Sequence, residues 1–281
     1  MSTMEDRLIY WINERNDIRK QNEAGNPLPW TEDAILKEYR FCNVRREDDR
    51  VTKWMRKNWA YKKSHLVNST WWFTVARMIN WPPTLKLLYP FAVDGEVEMM
   101  VNIIENAQSK RPKQKVFGSA YIVSTNGHKI GKAEYFGKMW SGELMWPGPN
   151  LHPWSLHHSH KNLMQLNGLG SFLAAQIIAD LKYDGPLFDA EDFYTWAAPG
   201  PGSMRGLNRL LGLPLKKKWN QTDFLNTMNP IRRELTPRFP YAIEAQDFQN
   251  CLCEFDKYCR VLLGEGRPRA NYESHHMEYS V

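Results

Sequence analysis

Apolar side chains recur every three to four positions along most of the chain, the spacing of helices that each bury one face. The pattern predicts amphipathic helices over Met4–Glu23 and over 31–41, 49–62, 69–80 and 96–107. The first stops at Gly25 and Pro27, and the second opens at Thr31, whose hydroxyl suits an N-cap. Helical spacing returns over 155–166, 171–181, 203–211, 223–235 and 242–263, after a stretch rich in Gly, Pro and Trp at 141–153. Between the two helical blocks, 116–124 and 128–136 flank Asn126-Gly127, a pair that takes the two positive φ angles of a tight turn. A β-hairpin is therefore expected over 116–136. The chain reads as mostly α with that one β-hairpin. With no internal repeat and no long linker, an N-terminal helical arm over 1–30 is expected to precede one helical domain over 31–281.

Composition narrows the class. Of 281 residues, 42% are hydrophobic and 24% charged, which excludes wholesale disorder and a collagen-like repeat. No run reaches the ~18–20 apolar residues of a membrane span, and the polar start MSTMEDR lacks a signal-peptide core, so a cytoplasmic location without membrane contact is expected. Lys and Arg exceed Asp and Glu by 6, which permits an anionic partner. Twelve Trp are read chiefly as core, with base stacking as the other use of a large flat ring. Of the four Cys, three lie at 251, 253 and 259, a spacing that does not fit a four-Cys iron–sulfur cluster. Reduced thiols on a helix face are expected instead.

The strongest local signal is Leu166-Asn-Gly168-Leu169-Gly170-Ser171, between two stretches of helical period. It reads as a helix-hairpin-helix over 155–181. Two glycines around one apolar residue let the chain turn tightly and aim backbone N–H groups and the next helix's positive end outward, a geometry that binds DNA phosphate. A plain corner between two helices is the other reading. About 20 residues beyond the hairpin, Phe188-Asp-Ala-Glu191-Asp192-Phe193 sets three carboxylates among aromatics. Glycosylases built on such a hairpin use a carboxylate at about this distance, so Asp192 is the candidate catalytic group and Glu191 the second choice. Asp189 suits the N-cap of a short helix.

Pro199-Gly200-Pro201-Gly202-Ser203-Met204-Arg205 runs a glycine-rich turn into a helix with Arg205 in its first turn, which suits phosphate, pyrophosphate or carboxylate. As structure alone it is a turn. It is not a kinase P-loop, and no G-x-x-x-x-G-K-[ST] occurs in the sequence: Gly131-Lys132 precedes Ala133, and Gly137-Lys138 precedes Met139. The 40–50 stretch, with Arg45 and Arg46, and the 254–269 stretch, with Lys257, mix both signs of charge and read as ion-paired helix surface. His152, His157, His158 and His160 lack a completing metal pattern, and no metal is expected there.

Taken in order, 41–55, 120–123, 166–177, 191–206 and 250–269 resemble the phage α-glutamyl/putrescinyl thymine pyrophosphorylases, reinterpreted as amino acid:DNA transferases. That family shares its helical domain with 5-hydroxymethyluracil DNA kinases. The resemblance spans about 30–272 and implies a two-lobed, helix-hairpin-helix DNA glycosylase-like fold that no longer cuts the glycosidic bond. It departs at Asn167, where relatives often carry Pro, and it lacks the kinase P-loop, which argues against kinase chemistry.

What the resemblance implies is transfer of a free amino acid, through its amine, to the 5-methylene carbon of pyrophosphorylated 5-hydroxymethyluracil in double-stranded DNA, with release of pyrophosphate. Asp192 is then the general base, with Glu191 in reserve. Arg205, Arg45, Arg46, Lys257 and the Gly200–Gly202–Ser203 turn are candidates for the leaving group, and Gly168, Leu169, Gly170 and Ser171 for DNA. No cofactor is expected beyond Mg²⁺ escorting the pyrophosphate, and the phage DNA kinase is an expected partner. A modified-base glycosylase and a non-catalytic DNA-binding module are the alternatives.

Overall fold

The structure is a computed structural model that describes residues 3–60, 69–110, 114–120, 124–142, 148–268 and 270–272. The chain divides into two compact units, one of residues 1–49 and 194–278, the other centred on 50–193. The first unit opens with α1 (Met4–Glu23) and α2 (Ala34–Glu38). The second holds α3 (Arg50–Met55), α4 (Ser69–Ile79), α5 (Pro82–Asp94), α6 (Val97–Ser109), α7 (Lys132–Trp140), α8 (Leu156–Leu163) and α9 (Ser171–Asp184). The chain then returns to the first unit for α10 (Pro201–Leu210), α11 (Gln221–Leu235) and α12 (Ala245–Leu262). The protein is mostly α, and among the described residues β pairing is limited to one isolated bridge between Tyr39 and Asn271.

In the first unit, α1 starts on a capping box in which Thr3 and Asp6 exchange bonds, satisfying two amides that a helix end leaves open. Its Leu8, Trp11 and Ile12 enter a core with Phe224, Phe248, Cys251, Leu252 and Phe255. α12 runs through this core with partners on opposite sides. One side meets 40–46: the Cys42 N–H donates to Glu254 at 2.9 Å and the Arg46 N–H to Asp247 at 3.0 Å. The other side meets α10, where a Cβ on Gly206 would fall 2.0 Å from the Leu252 carbonyl and one on Gly202 2.3 Å from Cys253 Sγ. Those two glycines, four apart on one face of α10, let the helix backbones close together. The four cysteines are free thiols, with Cys251 and Cys259 buried.

In the second unit, every residue of α4 from Thr70 to Ile79 is buried, as in a helix enclosed by neighbours on all sides. Trp59, Trp71, Trp72 and Trp140 fill this core, and the Trp71 indole donates to the Trp140 carbonyl at 2.7 Å. Arg77, fully buried, grips the equally buried Asp180 of α9 with two bonds of 2.7 and 2.6 Å and adds Thr52 at 3.1 Å. A charge in such surroundings persists because bidentate geometry and further hydrogen bonds offset its desolvation.

Three sequence expectations need correction. The β-hairpin does not form among the described residues. Asn126 and Gly127 do take positive φ, 48° and 83°, and the His128 N–H closes the turn on Thr125 at 2.9 Å. The second half is helix from Lys132, because Ala133, Phe136, Gly137 and Trp140 form a buried stripe at helical spacing. Residues 121–123, in the first half, lie outside the described residues. The N-cap of α2 is Asp33 rather than Thr31, whose hydroxyl instead accepts from the Asp33 N–H. Asp189 caps no helix, since 186–189 and 191–195 are turns. No helix among the described residues is long and apolar enough to cross a membrane.

Candidate functional site

α8 and α9 form a helical hairpin joined at 164–170. Gly168 has φ 87°, in the left-handed region, and its Cβ would lie 2.6 Å from the tip of Met139. Leu169 is buried between the glycines and anchors the turn from inside. His160, buried near the end of α8, meets the Ser171 carbonyl through Nε2 at 3.0 Å and so ties α8 to the first residue of α9. Burial holds that imidazole below its ordinary value. Gly170 is the N-cap residue of α9 and offers no side-chain cap, while Ser171 is exposed in the first turn.

The start of α8 is closed. Asp192 Oδ1 accepts from the Leu156 N–H at 2.7 Å, and its Oδ2 accepts from the His157 N–H at 3.0 Å and the Ser155 hydroxyl at 3.4 Å. Ser155 serves the next amide, accepting from the His158 N–H at 3.3 Å. The first-turn amides of α8 are therefore consumed by these two residues, and the positive helix end complements the Asp192 charge. Three donors on a carboxylate with about four lone-pair sites leave one site, on Oδ1. With ~1.5 Å rise per residue, the eight residues of α8 set Asp192 on the order of 12 Å from the beginning of the glycine turn.

Around Asp192 stand a half-buried His157 and an exposed Glu191, whose backbone N–H bonds the Trp154 carbonyl at 3.0 Å. Burial lowers the His157 imidazole from its ordinary value; Lys161 and His158 push the same way and Asp192 opposes them. Behind the carboxylate, buried Lys182 donates to the Phe193 carbonyl at 3.2 Å and lies 4.3 Å from that ring's centre, which holds the residue after Asp192 in place. The sequence brings His157 forward only within a histidine run weighed for metal, and it gives Lys182 no part in the site. Nothing in their local spacing marks them, since both act on a segment some 10 or more positions away. No group of three or more His, Cys, Asp or Glu among the described residues is arranged to hold a metal.

The candidate anion residues lie in the first unit. The buried Asp256 of α12 gathers three arginines: Arg205 Nε at 2.9 Å, Arg209 Nε at 2.9 Å and Arg260 Nε at 3.5 Å. Arg209 is turned inward and also pairs with Glu265. Arg205 keeps 38% of its side-chain surface exposed while its Nε holds Asp256. Ser203 is buried, and its hydroxyl closes back on the Gly200 carbonyl at 3.0 Å, while Gly202 packs on Cys253. The turn is thus held by its own bonds and by α12.

Lys257 donates to Glu254 at 2.7 Å and to the Arg40 carbonyl at 2.8 Å, which makes it a brace between α12 and the 40–46 segment. Arg45 stacks over Tyr241 at 4.9 Å, and the backbone of Arg46 is held by Asp247. Arg45 and Arg46 accompany the segment on one side of α12, whereas Arg205 comes from α10 on the other. The structure does not bring these three arginines together.

The family described as 5-hmdU DNA kinase, helical domain, matches residues 2–267. No curated protein and no solved structure matches the chain. The match covers almost the whole sequence, with the hairpin, the Asp192 segment and the α10–α12 pair all inside it, and the chain accordingly belongs to the family of 5-hmdU DNA kinase helical domains.

Proposed function

We propose that this protein acts in the modification of 5-hydroxymethyluracil in DNA by joining an amino acid, through its amine, to the 5-methylene carbon of the pyrophosphorylated base. The observation that carries the reading is the pairing of a helical hairpin whose second helix lacks a side-chain cap with a fixed carboxylate at the far end of its first helix. The family description supports the substrate, and the sequence has no G-x-x-x-x-G-K-[ST] of its own for kinase chemistry.

The reaction forms a C–N bond as the C–O bond to pyrophosphate breaks, and the electron pair of that bond leaves with the pyrophosphate. An α-ammonium group must first lose a proton to expose its lone pair, and the new secondary amine sheds or keeps a second according to pH. Asp192 is the acceptor in this reading, through its open Oδ1 site; His157, uncharged near neutrality, stands beside it to pass a proton on. A base swung out of the duplex carries its 5-substituent, which lies in the major groove when the base is paired, into a pocket where protein groups can surround it. Arg205, in the first unit, is by itself a candidate grip for an anion such as pyrophosphate or a carboxylate, both suited to a half-exposed guanidinium. Mg²⁺ would enter with the pyrophosphate rather than as a resident ion.

The test incubates the protein with duplex carrying 5-pyrophosphoryloxymethyluracil and a mixture of amino acids, followed by mass spectrometry of the nucleosides. A mass gain on the base with pyrophosphate release is expected. Release of free base would make the protein a glycosylase, and unchanged nucleosides with retained binding would make it a DNA-binding module.

A further inference from the structure

Three consecutive lysines, Lys216, Lys217 and Lys218, are exposed on the loop between α10 and α11 in the first unit. Among the described residues none of the three forms an ion pair. The nearest acid in sequence, Asp223, is engaged by the side chain of Asn220, whose Nδ2 reaches it at 2.7 Å. Runs of lysine usually sit on mobile surface, where ordering them on a ligand costs entropy. This run does not. Asn208, fully buried on α10, donates to the Leu215 carbonyl at 3.3 Å and the Lys217 carbonyl at 2.8 Å, and accepts from the Trp219 indole at 2.8 Å. The loop also closes on itself, with the Leu213 N–H on the Asn208 carbonyl at 2.8 Å and the Lys217 N–H on Pro214 at 2.9 Å. The Lys217 ammonium lies 4.0 Å from the centre of the Trp219 ring.

A buried amide that spends both its donors and its acceptor on one short loop fixes the loop's shape, and what that shape displays is positive charge without counter-charge. We infer that the 216–218 loop is a contact for the phosphate backbone of duplex DNA, separate from the glycine hairpin. Lysine ammoniums meet phosphates as point charges and read no base, so the contact is sequence-independent and acts by releasing counterions. A lipid surface fits less well, since the apolar side chains beside the lysines, Leu215 and Trp219, are partly buried, and the exposed Leu211 and Pro214 stand two or more positions before them. This inference rests on DNA being the partner, as in the proposed function, and not on the transfer chemistry.

The full chain and its Lys216→Gln/Lys217→Gln/Lys218→Gln variant are compared for binding to an unmodified 20-base-pair duplex by fluorescence anisotropy across a salt series, with circular dichroism as the check on folding. The variant is expected to bind about 10–100-fold more weakly at low salt, equally on two unrelated sequences, and the slope of log affinity against log salt is expected to shrink by about 2–3. A double variant that keeps the stacked Lys217 should show roughly two thirds of that slope change. An unchanged slope in the folded triple variant would remove the loop while leaving the DNA reading intact. Loss of binding to phosphatidylserine vesicles with duplex binding unaffected would reassign it to membranes. A wild-type protein that binds no duplex would overturn both this inference and the proposed function.

Discussion

The Leu156 backbone N–H donates to Oδ1 of Asp192 at 2.7 Å, which places a carboxylate from the end of the second unit on the first turn of a helix 36 positions earlier in the chain. The same side chain is thus the end-piece of α8 and the proposed base. The two roles separate experimentally because they lose different things.

Asp192→Asn keeps one acceptor for α8 but sets an amide NH₂ or a neutral oxygen where two donors converge. Stability should fall by about 1 kcal/mol, the worth of a helix cap, measured as a shift in thermal midpoint. Transfer activity should fall far more, by about 10²–10⁴-fold near neutral pH, and recover in part as pH rises and the amine deprotonates in solution. A folded variant with wild-type turnover at neutral pH would leave Asp192 only its capping role, and Glu191→Gln would be assayed next.

The two hairpin glycines should respond differently. A Cβ on Gly170 meets nothing within 4 Å, whereas Gly168 sits at φ 87°. Gly168→Ala should cost roughly 1–2 kcal/mol from backbone strain, and Gly170→Ala little. Gly170→Val is therefore the cleaner probe of the DNA grip: duplex affinity should drop while stability falls by no more than about 1 kcal/mol, the cost of a poorer N-cap. Equal affinity for this variant and the wild type would reduce the hairpin to a corner.

Gly206→Ala should be the most damaging small substitution in the first unit. Its Cβ would lie 2.0 Å from the Leu252 carbonyl, a backbone atom that cannot swing aside. Separating α10 from α12 is expected to cost on the order of 1–3 kcal/mol or more by overpacking, read from denaturant unfolding. Retained stability would mean that the two helices have room to slide.

Arg205→Ala removes one of three guanidiniums from buried Asp256 and leaves Arg209 on it, so the fold should survive. The expected loss is in transfer rate, with duplex affinity within about threefold of wild type, since only the exposed part of Arg205 is proposed to meet the anion. Normal turnover at saturating substrate would confine Arg205 to holding α10 against α12.

Stability should fall on acidification. Burial lowers the folded-state value of His160 below the ordinary 6.5 that the unfolded chain retains. Below pH 6.5 the unfolded state takes up protons that the folded state refuses, so this contribution is complete above 6.5 and is lost as pH drops toward the folded value. His157 acts in the same direction. Unfolding curves at pH 7 and pH 5 should converge partly in His160→Gln; an identical pH dependence in variant and wild type would exclude the residue as a source.

Much of the fold was legible in the sequence because helix periodicity and capping are local. α1 runs over the expected residues, α8 starts at a Ser155 cap, and the stretch read over 242–263 contains α12. The Asn126-Gly127 turn forms for the same reason. The segment beyond that turn takes its form from distant contacts. Residues 132–140 carry a helical stripe beside a hairpin signal, and the helix prevails because it packs on α6, where a Cβ on Gly137 would come 2.5 Å from Val101. α5 answers to none of the expected helices: Pro82 and Pro83 open it, where a missing N–H costs nothing, and Pro90 lies inside it. At the candidate site, residue types and spacing pointed to Asp192 and the glycines. That Asp192 closes α8, that Gly202 and Gly206 make room for α12, and that Asn208 stiffens a lysine loop each depend on a partner outside the local window. Sequence periodicity determines which face of a helix is apolar, but only the packed chain determines what that face meets.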